Sequence, residues 1–109
     1  TDNSGSPYDA LSRDQILDNI MHYWLPATGA SSARLYWESF ATFAPHDIAL
    51  PVAVSAFPKE IIPAPRKWAE RNFSNLVHWG ELDKGGHFAA WEQPELFAAE
   101  LRTAFALMR

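Results

Sequence analysis

Apolar residues at positions 16, 17, 20, 23 and 24 recur at helical spacing behind the segment Ser12-Arg13-Asp14-Gln15. This pattern predicts an amphipathic helix with Ser12 as N-cap and Gln15 closing a capping box. Leu11 and Ile16 stand where a hydrophobic staple would form, and Pro26 and Gly29 end the helix. A second helix is predicted from about Ala30 to Phe40, with Leu35, Tyr36, Ser39 and Phe40 on one side. After a connection over Pro45–Leu50 the pattern changes. Pro51–Ala56 is short, apolar and partly β-branched, which predicts a buried strand of a parallel sheet. Phe57-Pro58-Lys59-Glu60 is then the loop leaving its carboxyl end. Pro65–Arg71 predicts a helix with proline at its first turn, Asn75–Trp79 a second strand and Asp83–Ala90 the loop after it. Pro94 opens a last helix that turns Phe97, Leu101, Ala104, Phe105 and Met108 inward.

The resulting order is helix, helix, strand, helix, strand, helix. Its last four elements read as β-α-β-α, an α/β chain with a parallel sheet covered by helices. Two parallel strands make a poor sheet and need both faces covered. They are therefore expected to join a larger sheet built by residues outside this chain. Residues 1–44 form the helical part and residues 45–109 the sheet part. Thr1-Asp2-Asn3-Ser4-Gly5-Ser6-Pro7 reads as an exposed polar loop of the kind found where a chain has been nicked. Laboratory truncation would leave the same start.

Composition narrows the functional classes. The chain has 109 residues, 48% of them hydrophobic, and five tryptophans, so large apolar faces need covering and whole-chain disorder is excluded. A net charge of −4 gives no basic stripe to replace phosphate counterions, so nucleic acid is not an expected partner. With no cysteine there is no thiolate chemistry and no zinc-thiolate site. No apolar run approaches the roughly 20 residues of a membrane span, and no signal peptide is recognisable. A cytoplasmic location is expected, with an upstream membrane anchor left open. His22, His46 and His78 lack carboxylates at metal-ligand spacing, so they make no metal cluster.

The chemistry concentrates in Gly85-Gly86-His87-Phe88. Two glycines open backbone conformations closed to other residues, which allows the imidazole to be aimed into a cleft. In open α/β sheets, sites form beyond the carboxyl ends of strands. Glu60 follows the first strand and His87 the second, 27 residues later, one helix-strand excursion apart. A carboxylate beside a histidine fixes one tautomer and stabilises the imidazolium. From pattern alone Glu60 reads equally as a solvated loop charge, and Asp83 is a rival orienting acid. His87 as an ordinary loop histidine is the competing reading, which Phe88-Ala89-Ala90-Trp91 weakens. Tyr23, Trp24, Phe40 and Phe43 read as core packing more readily than as a pocket lining.

Phe57-Pro58-Lys59-Glu60, Pro65, Trp68 and Gly85-Gly86-His87-Phe88-Ala89-Ala90-x-Glu92-x-Pro94-Glu95-Leu96 together resemble the C-terminal part of microsomal-type epoxide hydrolases, enzymes of the α/β-hydrolase fold. Ser31-Ser32-Ala33-Arg34-Leu35-Tyr36-Trp37-Glu38 is similar to a cap-domain helix of the same family. The resemblance implies that residues 1–44 are part of the helical cap and residues 45–109 the C-terminal part of the core. It implies His87 as general base, Glu60 as its acidic partner, Tyr36 as hydrogen-bond donor to the epoxide oxygen, and a reaction that needs no metal or organic cofactor; Leu35 and Trp37 are read as packing. A phenol suits that task because ring opening generates an alkoxide.

The family nucleophile is an aspartate in a Gly-x-Asp-x-Gly-like elbow. None of Asp2, Asp9, Asp14, Asp18, Asp47 or Asp83 has that setting. The aspartate, the oxyanion loop and a second cap tyrosine are therefore expected on a separate N-terminal portion, a partner of this chain. The other expected partners are a small-molecule epoxide and water, and a homodimer is compatible with the fold. Another α/β-hydrolase, such as an esterase or haloalkane dehalogenase, is the alternative enzyme reading. A non-catalytic hydrolase-fold binding protein is the alternative outside enzymes, and a small interaction module that folds alone is a third.

Overall fold

The computed structural model describes residues 1–39 and 48–108. It divides into two compact units, one of Thr1–Ala10 with His46–Arg109 and one of Leu11–Pro45. The first ten residues thus pack with the sheet unit, although the sequence pattern grouped them with the helical one. No helix among the described residues is long and apolar enough to cross a membrane.

The helical unit contains α1 (Arg13–Trp24) and α2 (Gly29–Ser39). The capping box at the start of α1 is complete. Gln15 N–H donates to Ser12 Oγ at 3.2 Å, and Ser12 N–H donates to Gln15 Oε1 at 2.8 Å. The helix is closed by Ala27, which takes a left-handed φ of 53° so that Thr28 N–H reaches Tyr23 O at 3.0 Å. Tyr23 and Trp24 are exposed, not packed in a core, and line an open apolar surface cleft with Ile20. The physical reason is simple: two helices alone have no surface wide enough to cover both faces. Phe40 and Phe43 lie outside the described residues.

The sheet unit contains β1 (Val52–Ala56), α3 (Arg66–Asn72), β2 (Leu76–Glu81), α4 (Ala89–Glu92) and α5 (Pro94–Ala106). The strands pair in parallel, with Ala53 opposite His78, Ser55 opposite Gly80 and Ala56 opposite Glu81. The first strand was expected to be buried; its residues are half-buried, and those of β2 are half-buried or exposed. A two-stranded sheet leaves each strand an open edge, and α3 and α5 reach only part of its surface.

A polar cluster fastens α5 to the sheet. Glu100 on α5 accepts a hydrogen bond from Ser55 Oγ at 3.1 Å and meets His78 Nε2 at 2.6 Å. Gly80 leaves the space for this carboxylate, because a Cβ there would collide with Glu100 Oε1. Phe97 stacks on Phe57 with ring centroids 6.4 Å apart, and Ala104 is buried. Leu101 and Phe105, expected to face inward, are exposed: the apolar stripe of α5 is wider than the surface two strands offer it.

Candidate active site

Strand pairing continues beyond the strand ends and brings two loops together. Leu82 N–H donates to Ala56 O at 2.9 Å, and Lys59 N–H donates to Gly85 O at 3.1 Å. Lys59 and Gly86 form an isolated parallel bridge. The next residue on each side is Glu60 and His87, so the sheet's own hydrogen-bonding pattern closes the 27-residue separation. His87 Nδ1 lies 2.6 Å from Glu60 Oε1. The same oxygen accepts Ile61 N–H at 2.6 Å, which fixes the carboxylate in place. Asp83, the rival acid, is an exposed loop residue, and Glu60 holds the imidazole.

The electrostatics follow from this contact. The hydrogen bond from His87 is the main cause holding the Glu60 carboxyl below its ordinary value of 4.5. Partial burial opposes the shift, and the Ile61 and Ile62 N–H groups reinforce it. Glu60 is therefore a carboxylate at neutral pH, a position that favours the proton on Nδ1 and leaves Nε2 with the lone pair.

The two glycines before His87 serve different purposes. Gly85 has φ of 105°, which side chains disfavour, and a Cβ there would stand 2.9 Å from Phe57 Cδ1. Gly86 is needed for close approach alone: a Cβ would meet Lys59 O at 3.1 Å and Glu92 Oε2 at 3.2 Å. The expectation of two unusual backbone conformations thus holds at Gly85 and gives way to a space requirement at Gly86.

A cleft of about 400 Å³ opens beside the pair. Phe57, Phe88, Trp91 and Phe97 give it apolar walls, and Glu60 and His87 are its titratable groups. The Phe88 ring stands edge-on to the imidazole, with centroids 5.0 Å apart and planes at 78°. A tautomer-fixed imidazole in an apolar cleft is equipped to take a proton from water.

No family model matches the chain. A Stigmatella aurantiaca (strain DW4/3-1) protein provisionally named as an epoxide hydrolase is 56% identical over 110 residues, covering 100% of this chain and 25% of that protein. Epoxide hydrolase 1 of Sus scrofa is 35% identical over 104 residues, 90% of this chain and 23% of the relative. The crystal structure of juvenile hormone epoxide hydrolase from the silkworm Bombyx mori matches with a TM-score of 0.81 and 32% identity, covering 89% of this chain and 26% of that one. The chain is homologous to a segment of the epoxide hydrolases. Its fold is a portion of the α/β-hydrolase fold, and it spans about a quarter of the length of the curated relatives it matches.

Tyr36 lies on α2 in the helical unit, with 64% of its surface exposed. Leu35 and Trp37, read as packing residues, are also exposed there. His78 belongs to the polar cluster under α5 and is separate from the cleft. One group escaped the sequence reading altogether. Glu92 ends α4 with a fully covered side chain and accepts backbone N–H groups from Gly86, Phe88 and Asp2. The motif contained it, but nothing in its spacing distinguishes a buried carboxylate from a helix-surface one.

Proposed function

We propose that this segment supplies the water-activating half of an epoxide hydrolase site, with His87 as general base and Glu60 as the carboxylate that orients it. The single observation carrying this reading is the 2.6 Å contact between His87 Nδ1 and Glu60 Oε1, at the carboxyl ends of two parallel strands and on the wall of an apolar cleft. Tyr36, on the unit we read as part of the cap, donates to the epoxide oxygen. The nucleophile is an aspartate on the portion of the protein outside this chain.

The reaction then has two steps. The aspartate attacks an epoxide carbon, the carbon–oxygen bond breaks, and the resulting alkoxide takes the Tyr36 phenol proton, leaving an alkyl-enzyme ester. His87 Nε2 next removes a proton from water, and the hydroxide adds to the ester carbonyl. Collapse expels the alcohol oxygen, which receives the imidazolium proton; the acid proton left on the aspartate returns through solvent to the Tyr36 phenolate, and the products are a vicinal diol and the restored enzyme. Glu60 keeps Nδ1–H in place throughout and stabilises the transient imidazolium.

Tyr36→Phe in the full-length protein separates this reading from the esterase and dehalogenase readings. Turnover of an aryl epoxide is expected to fall about 100-fold, the usual scale for losing one oxyanion donor. Turnover of an ester or haloalkane would fall equally if Tyr36 only supported the fold, and an unchanged epoxide rate would remove Tyr36 from the mechanism.

A further inference from the structure

We propose that Glu92 is a positioning residue for His87, acting on the hydrolytic step alone. The inference rests on the reading of His87 given above. The Glu92 side chain has 0% exposure; its carboxylate accepts hydrogen bonds from backbone N–H groups, and Oε1 also lies 3.7 Å from the Thr1 amino nitrogen. Oε2 accepts Gly86 N–H at 3.0 Å and Asp2 N–H at 2.6 Å, and Oε1 accepts Phe88 N–H at 3.1 Å. Gly86 and Phe88 are the two neighbours of His87. One carboxylate therefore grips the turn on both sides of the histidine and fixes the backbone from which the imidazole projects. Asp2 Oδ2 takes the remaining neighbouring donor, Gly85 N–H, at 2.9 Å.

The chemistry of the site calls for glutamate specifically. Burying a carboxylate is costly unless its oxygens are satisfied, and here both oxygens face N–H groups. Glutamine has the same shape, but whichever way its amide is turned, an NH2 group faces a backbone N–H. A Cβ on Gly86 would lie 3.2 Å from Oε2, a tight approach, so the turn and the carboxylate fit together closely. Loss of the grip frees His87 to shift relative to Glu60 while leaving the nucleophile and Tyr36 untouched. A displacement of about 1 Å at a reacting group is enough for a rate loss of about 100-fold.

The test is single-turnover kinetics on the full-length protein, with the alkyl-enzyme ester followed by intact mass after mixing with an aryl epoxide. Glu92→Gln is expected to slow ester hydrolysis about 10–100-fold while ester formation stays within about threefold, so the adduct accumulates. Glu92→Asp, which retains the charge, is expected to recover part of the hydrolytic rate, and it carries the same test if the Gln variant does not fold. Equal losses in both steps would make Glu92 a purely structural residue and overturn the proposal; so would an unchanged hydrolytic rate. His87→Ala is the control. If that variant fails to accumulate ester, the reading of the whole site falls; if it does accumulate ester and the Glu92 variants do not, only the role of Glu92 falls.

Discussion

His87 and Glu60 form a hydrogen-bonded pair in which the imidazole favours the ionised form of the carboxyl. Glu60 is ionised more easily than an isolated carboxyl, chiefly because His87 donates to it. A depressed carboxyl pKa stabilises the folded pair above the group's ordinary value of 4.5, and that contribution fades as pH falls through the lower folded value. The pair is thus intact across the neutral range and breaks only in acid. Titration of the full-length protein by carbon-13 NMR is expected to place Glu60 below 4.5, and His87→Ala should move it upward because burial then acts with less opposition. A Glu60 titration that ignores the loss of His87 would contradict this coupling. At this scale the sequence was legible where chemistry and position coincide: the Gly-Gly-His turn and a carboxylate one excursion earlier were enough to nominate the pair. Glu92 was not legible, because its burial depends on three N–H donors brought to it by the tertiary fold.

Elements with strong local signals could be read directly. The Ser12–Gln15 capping box and the start of α5 at Pro94 depend on neighbours a few residues apart, and both form as expected. The four-residue α4 is too short to show any periodicity; its first two residues read as loop and the other two fell in no predicted element. The inward stripe of α5 was overestimated for the opposite reason: periodicity reports which face is apolar but not how much surface is available to cover it. What holds α5 is partly polar. Gly80→Ala should push Glu100 aside and leave His78 and Ser55 partly buried without their acceptor. The expected cost is about 1–3 kcal/mol, read as a lower midpoint of denaturant unfolding in the full-length protein. A midpoint unchanged by this substitution would mean that the cluster contributes nothing to the anchoring of α5.

On the scale of the molecule, the segment is chemically divided. The proposed base His87 and its acid Glu60 sit in the sheet unit and the proposed proton donor Tyr36 in the helical unit, and the proposed mechanism draws its nucleophile from outside the chain. Exposed Trp24, Trp37, Leu101 and Phe105 leave large apolar faces on both units, as expected of pieces that pack within a larger α/β hydrolase. The parallel topology made that incompleteness readable from sequence, since two such strands cannot bury themselves. The most direct test of the account is to follow both chemical steps in full-length His87→Ala with an epoxide. The account predicts normal formation of the alkyl-enzyme ester, loss of its hydrolysis and a stable mass increase equal to the substrate. Continued diol release at the wild-type rate, or failure of the ester to form at all, would contradict it.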